Sequence, residues 1–208
     1  MRAAAPVRSW PLISTAASCA DRSWKWFRPN VNGTPVRDAI LRKARESAEV
    51  KEAFFRTEAA RIEALARAMA AAFERGGRLF VMGNGGGATD AQHVAVEFCH
   101  PIVEKRRALP AVALSGDPAL LTAIANDRDF TRVFGDQLRV LARPGDMALV
   151  LSTSGHSSNL VHALEVARSL GLMTIAFTGK DGGRLVDLAG HAVVVPSFSI
   201  HRIQGTHV

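Results

Sequence analysis

Hydrophobic residues follow two different patterns along the chain. Between about Val36 and Arg75 they recur every three or four residues among Glu, Lys and Arg, which predicts one long amphipathic helix. Gly76 and Gly77 predict the end of this helix, since glycine is a common C-terminal cap. Five short apolar runs then predict strands at Leu79–Met82, Ala111–Leu114, Met147–Leu151, Met173–Phe177 and Ala192–Val195.

Helical stretches separate these predicted strands. They cover Ala88–Cys99, Pro118–Ala125, Asp129–Ala142, Ser157–Leu170 and about Gly183–Leu188. Short, continuously apolar strands that alternate with helices indicate a parallel sheet with helices on both faces, because both faces of each strand are buried. The predicted fold class is α/β, an open doubly wound sheet in which ligands bind at the carboxyl ends of the strands.

The first 35 residues differ from the rest in composition. They contain all three tryptophans, scattered proline and serine, and no hydrophobic period that we can follow. We interpret residues 1–35 as a basic, disordered extension and residues 36–208 as one domain. An Arg-rich, Ser-rich and acid-poor segment is also typical of an organelle transit peptide, and upstream sequence read from an early start codon is a third interpretation.

The net charge of +7 and the isoelectric point near 10.4 raise the question of nucleic-acid binding. Residues 1–37 carry six basic side chains and one acidic one, so the excess belongs mainly to this segment and we expect no nucleic-acid partner. No apolar run approaches the roughly 20 residues of a membrane span, so we expect a soluble protein with no membrane partner. Cys19 and Cys99 form no disulfide framework, which fits a reducing compartment.

A glycine-rich loop, Gly83–Gly87, joins the first predicted strand to the helix that follows it. Free backbone N–H groups and the helix dipole make such a loop a site for an anion. Together with Ala88 the loop also fits the dinucleotide-binding pattern G-x-G-x-x-A, although Asp117 is only a loose candidate for the acidic residue of that pattern. A tight turn without any ligand is the remaining interpretation.

A second loop of the same kind follows the third predicted strand. Four hydroxyl groups, on Ser152, Thr153, Ser154 and Ser157, lie beside the start of the next helix, where they can donate hydrogen bonds to phosphate oxygens. Capping of that helix by a single Ser or Thr is the alternative, but it leaves most of the cluster unexplained. Two such loops at strand ends favour a small phosphorylated ligand over an extended dinucleotide.

His93 and Glu97 stand four residues apart in the helix after the glycine loop, so both side chains lie on one face. Such a pair can hold a metal ion or move a proton, and an ordinary surface pair is the alternative. Apolar neighbours such as Val94 and Val96 favour partial burial, and buried ionisable groups need a partner. Further along, Asn126-Asp127 follows the next predicted helix, either as an ordinary turn or as part of a site.

Several separated motifs together resemble the sugar isomerase (SIS) domain family, and within it the phosphoheptose isomerases. In chain order they are GNGGG, DAQHxAxE, AxAND, LSTSGxS, TGKDGG and RIQxxH, and the resemblance runs from about Val36 to the end of the chain. It implies a five-stranded, flavodoxin-like parallel sheet with helices on both faces. It also implies a cytoplasmic homotetramer with sites between subunits.

The resemblance further implies an activity and a set of site residues. The activity is the isomerisation of sedoheptulose 7-phosphate to D-glycero-D-manno-heptose 7-phosphate through an enediol, for heptose-containing surface sugars such as lipopolysaccharide. Zinc is the implied cofactor, held by His93, Glu97 and Gln204, and Glu97 fits the catalytic base. The implied substrate-binding residues are Asn84, Gly85, Gly86, Glu97, Asn126, Asp127, Ser152, Thr153, Ser154, Ser157 and Gln204.

The chain departs from the phosphoheptose isomerase pattern at three places. Gly87 stands where the family usually has a serine, and His156 where it usually has an asparagine. The family's second catalytic and zinc-binding histidine comes two helical turns after the position of Gln204, beyond Val208, while His207 matches a different family histidine. We therefore expect a truncated C-terminal helix, and the resemblance leaves zinc binding and turnover by this chain open.

Other function classes share the SIS fold. A non-catalytic regulator that binds the replication initiator DnaA would suit the AIANDR stretch at residues 123–128, but His93 and Glu97 argue against it. A sugar-phosphate-sensing transcription factor would need an N-terminal helix-turn-helix, which the first 36 residues do not supply. A phosphosugar-binding protein without catalysis is the last alternative.

Overall fold

The computed structural model describes residues 36–102 and 106–207. The predicted extension, residues 1–35, lies outside the described residues. The chain divides into two compact units, Met1–Arg45 and Glu46–Val208. Residues 36–45 are the described part of the first unit and are helical, and the second unit holds the sheet.

Strands and helices alternate along the chain, as the apolar runs predict. The strands are β1 (Leu79–Gly83), β2 (Ala111–Ala113), β3 (Met147–Ser152), β4 (Met173–Gly179) and β5 (His191–Val195). The helices are α1 (Val36–Glu74), α2 (Gly86–Cys99), α3 (Pro118–Asp127), α4 (Gly135–Leu141), α5 (Ser158–Ser169), α6 (Gly183–Leu188) and α7 (Ile200–His207), with a 3-10 turn at Phe130–Arg132. Among the described residues, none of the helices combines the length and apolar character needed to cross a bilayer.

The five strands of the described sheet are all parallel and lie in the order β2-β1-β3-β4-β5. Leu79 of β1 pairs with Ala111 on one side and with Met147 on the other. β1 and β3 are therefore neighbours although β2 lies between them in sequence, and the strand order reverses at β1. In open parallel sheets the carboxyl ends of the strands beside such a reversal form the ligand-binding crevice.

Helices cover both faces of the sheet, which confirms the doubly wound α/β prediction. Alternate residues of β1 enter different cores: Leu79 and Val81 pack in the core with α1, α2 and α7, and Phe80 and Met82 pack in the core with α3 to α6. Every residue of β3 is buried. Burial on both faces is why these strands appear in the sequence as continuous apolar runs instead of alternating ones.

The predicted helix Asp129–Ala142 is wrong in its extent, because the structure divides it into the 3-10 turn and α4. The Asp129 carboxylate accepts a hydrogen bond from the Thr131 amide (2.7 Å) and caps the turn. Val133 and Leu138, on either side of the break, belong to the same buried core. The apolar spacing therefore continues across the break, and spacing alone does not reveal it.

The two ends of α3 also differ from the prediction. Asn126 and Asp127 form its last turn and do not follow the helix; there Nδ2 of Asn126 donates to Oδ1 of Asp127 (2.8 Å). At the other end, Asp117 caps the helix by accepting a hydrogen bond from the Leu120 amide (3.0 Å). Capping of α3 explains why an aspartate stands at position 117. The dinucleotide-binding interpretation is then left without its acidic residue.

Candidate functional site

A polar cavity of about 100 Å³ lies at the carboxyl ends of β1 and β3. The loops that follow these two strands form its wall together with α7. Six of the predicted site residues line it: Asn84, Ser152, Thr153, Ser154, Ser157 and Gln204. Asp90 and His207 also line the cavity and are absent from the predicted set.

The glycine loop brings the start of α2 close to α7. Gly85 precedes α2 with a φ of +54°, a left-handed conformation that favours glycine, and no side chain caps this helix end. Gly86 lies against the Gln204 side chain, since a Cβ atom on Gly86 would stand 2.0 Å from Nε2 of Gln204. Gly86 is therefore a contact point between the two helices, and a larger residue there would displace Gln204.

Two amide side chains join the β1 loop to α5. Nδ2 of Asn84 donates to Oδ1 of Asn159 (2.9 Å), and Nδ2 of Asn159 donates back to Oδ1 of Asn84 (2.8 Å). Asn159 is only 2% exposed in the first turn of α5. The pair fixes one loop against the other, although the sequence marks only Asn84 as a site residue.

The hydroxyl groups of the β3 loop are of two kinds. Ser152 and Ser154 accept hydrogen bonds from the backbone amides of Gly155 (3.1 Å) and His156 (3.3 Å) within the loop. Ser157 is the N-cap residue of α5, yet its side chain makes no capping hydrogen bond. Ordinary capping therefore does not explain Ser157, which lines the cavity at a helix N-terminus, a position that favours an anion in general.

His93 and Glu97 lie side by side on α2, with 3.6 Å between Nε2 of His93 and Oε1 of Glu97. Their side chains are 55% and 54% exposed, so the predicted partial burial is wrong. Ala91 and Ala95 form the buried face of α2, while His93, Val96 and Glu97 are exposed. In a single chain the pair lies outside the lining of the cavity.

Four other predicted residues are also absent from the cavity lining, namely Gly85, Gly86, Asn126 and Asp127. The two glycines stand between lining residues of the same loop. Asn126 and Asp127 are exposed at the end of α3. The roles of all four in substrate binding stay predictions.

The donor chemistry of His93 and Glu97 suits zinc, but Gln204 lies against the opposite end of α2 from Glu97. An imidazole and a carboxylate are ordinary zinc ligands, and a catalytic site needs a third protein ligand. Gln204 contacts Gly86, and the eleven residues from there to Glu97 span about 16 Å along α2. Within residues 36–102 and 106–207, no cluster of three or more His, Cys, Asp or Glu side chains is placed to hold a metal.

The two unpredicted ionisable side chains of the cavity have unusual surroundings. Burial raises the pKa of Asp90, against the opposing charge of His93, and Oδ2 of Asp90 is buried without a hydrogen-bond partner in the described part of the chain. Burial lowers the pKa of His207, although Nε2 donates a hydrogen bond to the Thr178 carbonyl oxygen (3.1 Å). His207 is therefore neutral at pH 7, and its place in the RIQxxH motif is the sequence signal that identifies it.

Comparison with known proteins decides the family. The SIS domain family matches residues 44–179. The phosphoheptose isomerase of Thermodesulfovibrio yellowstonii is 44% identical over 173 residues, which cover 83% of this chain and 86% of that one. This chain belongs to the phosphoheptose isomerase family.

Solved structures agree with this assignment. The structure of the phosphoheptose isomerase from Neisseria gonorrhoeae superposes with a TM-score of 0.78 at 34% identity, covering 83% of this chain and 92% of that chain. The sugar isomerase domain of an RpiR transcription factor from Sphaerobacter thermophilus, at 16% identity and a TM-score of 0.56, shares the fold alone. The SIS-fold prediction is confirmed, and the isomerase class is favoured over the regulator and transcription-factor alternatives.

Proposed function

We propose that this chain interconverts sedoheptulose 7-phosphate and D-glycero-D-manno-heptose 7-phosphate. The observation that carries the proposal is the cavity between the β1 and β3 loops, where hydroxyl groups meet the start of α5. A cavity of about 100 Å³ suits a phosphate group, whereas whole small-molecule pockets are several times larger. The remainder of the open-chain sugar would extend from the cavity.

The phosphate would be held by the β3 loop. The backbone N–H groups and dipole at the start of α5 favour a dianion, and hydrogen bonds to a charged acceptor are stronger than neutral ones. Ser157 supplies a hydroxyl without an internal partner among the described residues, beside Thr153 and Ser154. Asn84 of the β1 loop is held in place by Asn159 and lines the cavity on the side opposite to the β3 loop.

The reaction moves one proton between C1 and C2 of the sugar, so it needs a base at those carbons. Glu97 is the proposed base. Its carboxylate takes the proton from one carbon, and a proton added to the carbonyl oxygen completes the enediol. Glu97 then returns its proton to the other carbon, while the hydroxyl oxygen that becomes the new carbonyl loses its own proton. Glu97 is more than half exposed in a single chain, so the working site needs a cover that excludes water.

We infer that a second copy of the chain supplies this cover, in a cytoplasmic homotetramer. Gln204 of one copy would complete a zinc-binding set with His93 and Glu97 of another, which removes the separation of about 16 Å along α2. Phe55 and Val96, 49% and 51% exposed, offer apolar surface of the kind that interfaces use. Zinc bound there would supply Lewis-acid stabilisation of negative charge on the sugar oxygens.

The test is turnover of sedoheptulose 7-phosphate by Glu97→Gln. Loss of a general base lowers kcat by about a hundredfold or more, while binding of the phosphorylated sugar stays near the wild-type value. Glu63→Gln, at an exposed carboxylate of α1 that pairs with Arg67, is the matched control and keeps wild-type turnover. Wild-type turnover by Glu97→Gln overturns the assignment of the base. Sugar binding without any turnover by the wild-type protein favours the phosphosugar-binding alternative.

A further inference from the structure

A cleft of about 510 Å³ lies along α3, the 3-10 turn and α4. These elements pack on the sheet face opposite to α2, so the cleft is remote from His93 and Glu97. It has no lining residue in common with the cavity at the β1 and β3 loops. Its volume lies within the range of small-molecule sites, roughly 300–1,000 Å³.

Three arginines in the cleft converge on one carboxylate. Asp136, whose side chain is 11% exposed, accepts hydrogen bonds from Nη1 of Arg128 (2.8 Å), Nε of Arg132 (3.1 Å) and Nη1 of Arg139 (2.7 Å). The three arginine side chains stay 41% to 58% exposed. Asp127 also lines the cleft, so its three arginines and two carboxylates leave a net positive charge. The three arginine side chains are held by Asp136 and stay partly exposed, so they can meet an anion.

The wall beside this arginine cluster is aliphatic. It is lined by Leu120 and Ile124 of α3 and by Val140 and Leu141 of α4. Val140 is 83% exposed and Leu120 is 40% exposed, which is unusual for large apolar side chains grouped around one concave surface. The cleft therefore pairs an apolar surface with preorganised cationic donors.

We propose that this cleft binds an organic phosphate whose other part is a flat apolar ring, the chemistry of a nucleoside phosphate. A guanidinium fork matches two phosphate oxygens, and its plane also stacks on aromatic rings. The aliphatic wall would contact the ring, and the arginine cluster would bind the phosphate. None of the lining residues of the cleft belongs to the catalytic phosphate cavity, so its ligand would not displace the phosphate group of the sugar. Asp127 is the lining residue that the cleft shares with the predicted substrate-binding set.

Titration calorimetry with ADP, adenosine and inorganic phosphate tests the proposal on the full chain. We expect one ADP per chain, with adenosine and phosphate each bound about tenfold or more weakly, because each probe lacks one half of the recognised chemistry. Arg139→Gln and Val140→Asp should each weaken ADP binding about tenfold. Asp136 keeps two arginine partners in Arg139→Gln, so the fold is retained. Arg67→Gln, at a more exposed paired arginine on α1, should leave binding unchanged.

Several outcomes would overturn the proposal. No ADP binding by the wild-type protein at millimolar concentration excludes a nucleoside phosphate. Loss of ADP binding in Ser157→Ala, or displacement by sedoheptulose 7-phosphate, means that ADP occupies the catalytic phosphate loop. A smaller native mass for Val140→Asp means that the cleft is an interface between copies of the chain. Turnover is read separately, so failure here leaves the isomerase proposal intact.

Discussion

The two amides of Asn84 and Asn159 form a closed pair, in which each side chain donates to the other at 2.9 and 2.8 Å. Asn159 is almost fully buried, so loss of either partner would strand polar atoms away from water at a cost of about 1–3 kcal/mol. The sequence identifies amide side chains, but it does not identify which two face each other across 75 residues. For this reason the loop pattern predicts Asn84 as a site residue and misses Asn159.

Replacement of Ser157 by alanine separates phosphate binding from helix capping. The Ser157 side chain makes no capping bond, so we expect the free energy of unfolding to stay within about 0.5 kcal/mol of wild type. Loss of one hydrogen bond to a charged phosphate costs about 1.5–3 kcal/mol, which raises KM for the sugar phosphate about ten- to hundredfold. Steady-state kinetics and urea unfolding measure the two effects.

A matched control for Ser157→Ala exists at the other end of α5. The Ser169 hydroxyl donates to the Val166 carbonyl oxygen (2.7 Å), outside the cavity, so Ser169→Ala should leave KM unchanged. The opposite result for Ser157→Ala, lower stability with an unchanged KM, would mean that capping is its role after all.

At the scale of elements, the contact between α2 and α7 depends on the missing side chain of Gly86. In Gly86→Ala the new Cβ atom would stand 2.0 Å from Nε2 of Gln204, the end of a flexible side chain that can move away. In Gly87→Ala it would stand 2.9 Å from the backbone oxygen of Leu151, which moves only with β3. We expect Gly87→Ala to lose about 1–3 kcal/mol of stability, and Gly86→Ala to keep its stability but lose turnover.

Urea unfolding measures the stability of these two variants, and steady-state kinetics measures their turnover. Both substitutions add the same methyl group at the start of the same helix, so differences in helix propensity largely cancel. A stability loss in Gly86→Ala as large as that in Gly87→Ala would show that Gln204 cannot move aside. Full turnover by Gly86→Ala would show that the position of Gln204 is unimportant.

The amino ends of β1 and β3 are joined by Asp146, which accepts hydrogen bonds from the amides of Arg78 and Arg143 (both 2.8 Å) and pairs with Nη2 of Arg78 (2.7 Å). Burial alone would raise the pKa of Asp146, but the hydrogen bonds and charge of these partners outweigh it, and the pKa lies below its usual value. The stabilisation is therefore complete above the unfolded-state pKa of about 4 and is lost as the pH falls through the lower folded-state pKa.

Asp146→Asn tests this pH dependence. At pH 7 we expect the free energy of unfolding of this variant to be about 2 kcal/mol lower than that of wild type, because a charged acceptor of several hydrogen bonds is lost. The difference should shrink as the pH falls below about 4, measured by urea unfolding from pH 7 to pH 3. The exposed Asp187→Asn, on α6, should show no such trend. A constant difference down to pH 3 contradicts the assignment.

For the whole molecule, continuous apolar runs predict the strands because β1 and β3 are buried on both faces. The same reasoning fails on α2. Val94 and Val96, the apolar neighbours of His93, suggest burial, yet Val96 is 51% exposed. A hydrophobic pattern does not distinguish a face covered by its own chain from a face covered by a second copy. The predicted site is therefore found in two parts, a buried phosphate cavity and an exposed His93–Glu97 pair.

Val96 tests whether a second copy covers that pair. It stands between His93 and Glu97 on the exposed side of α2, so Val96→Asp leaves the single chain folded. In an assembled site the new carboxylate would be buried without a partner, at a cost of several kcal/mol. We expect a smaller native mass by light scattering and at least about a tenfold loss of kcat, with an unchanged circular dichroism spectrum. Val140→Asp, on the opposite face, should keep both mass and turnover. Wild-type mass and turnover in Val96→Asp would mean that no second copy covers this face. Gln204 of another copy could then not reach Glu97 to complete the proposed zinc site.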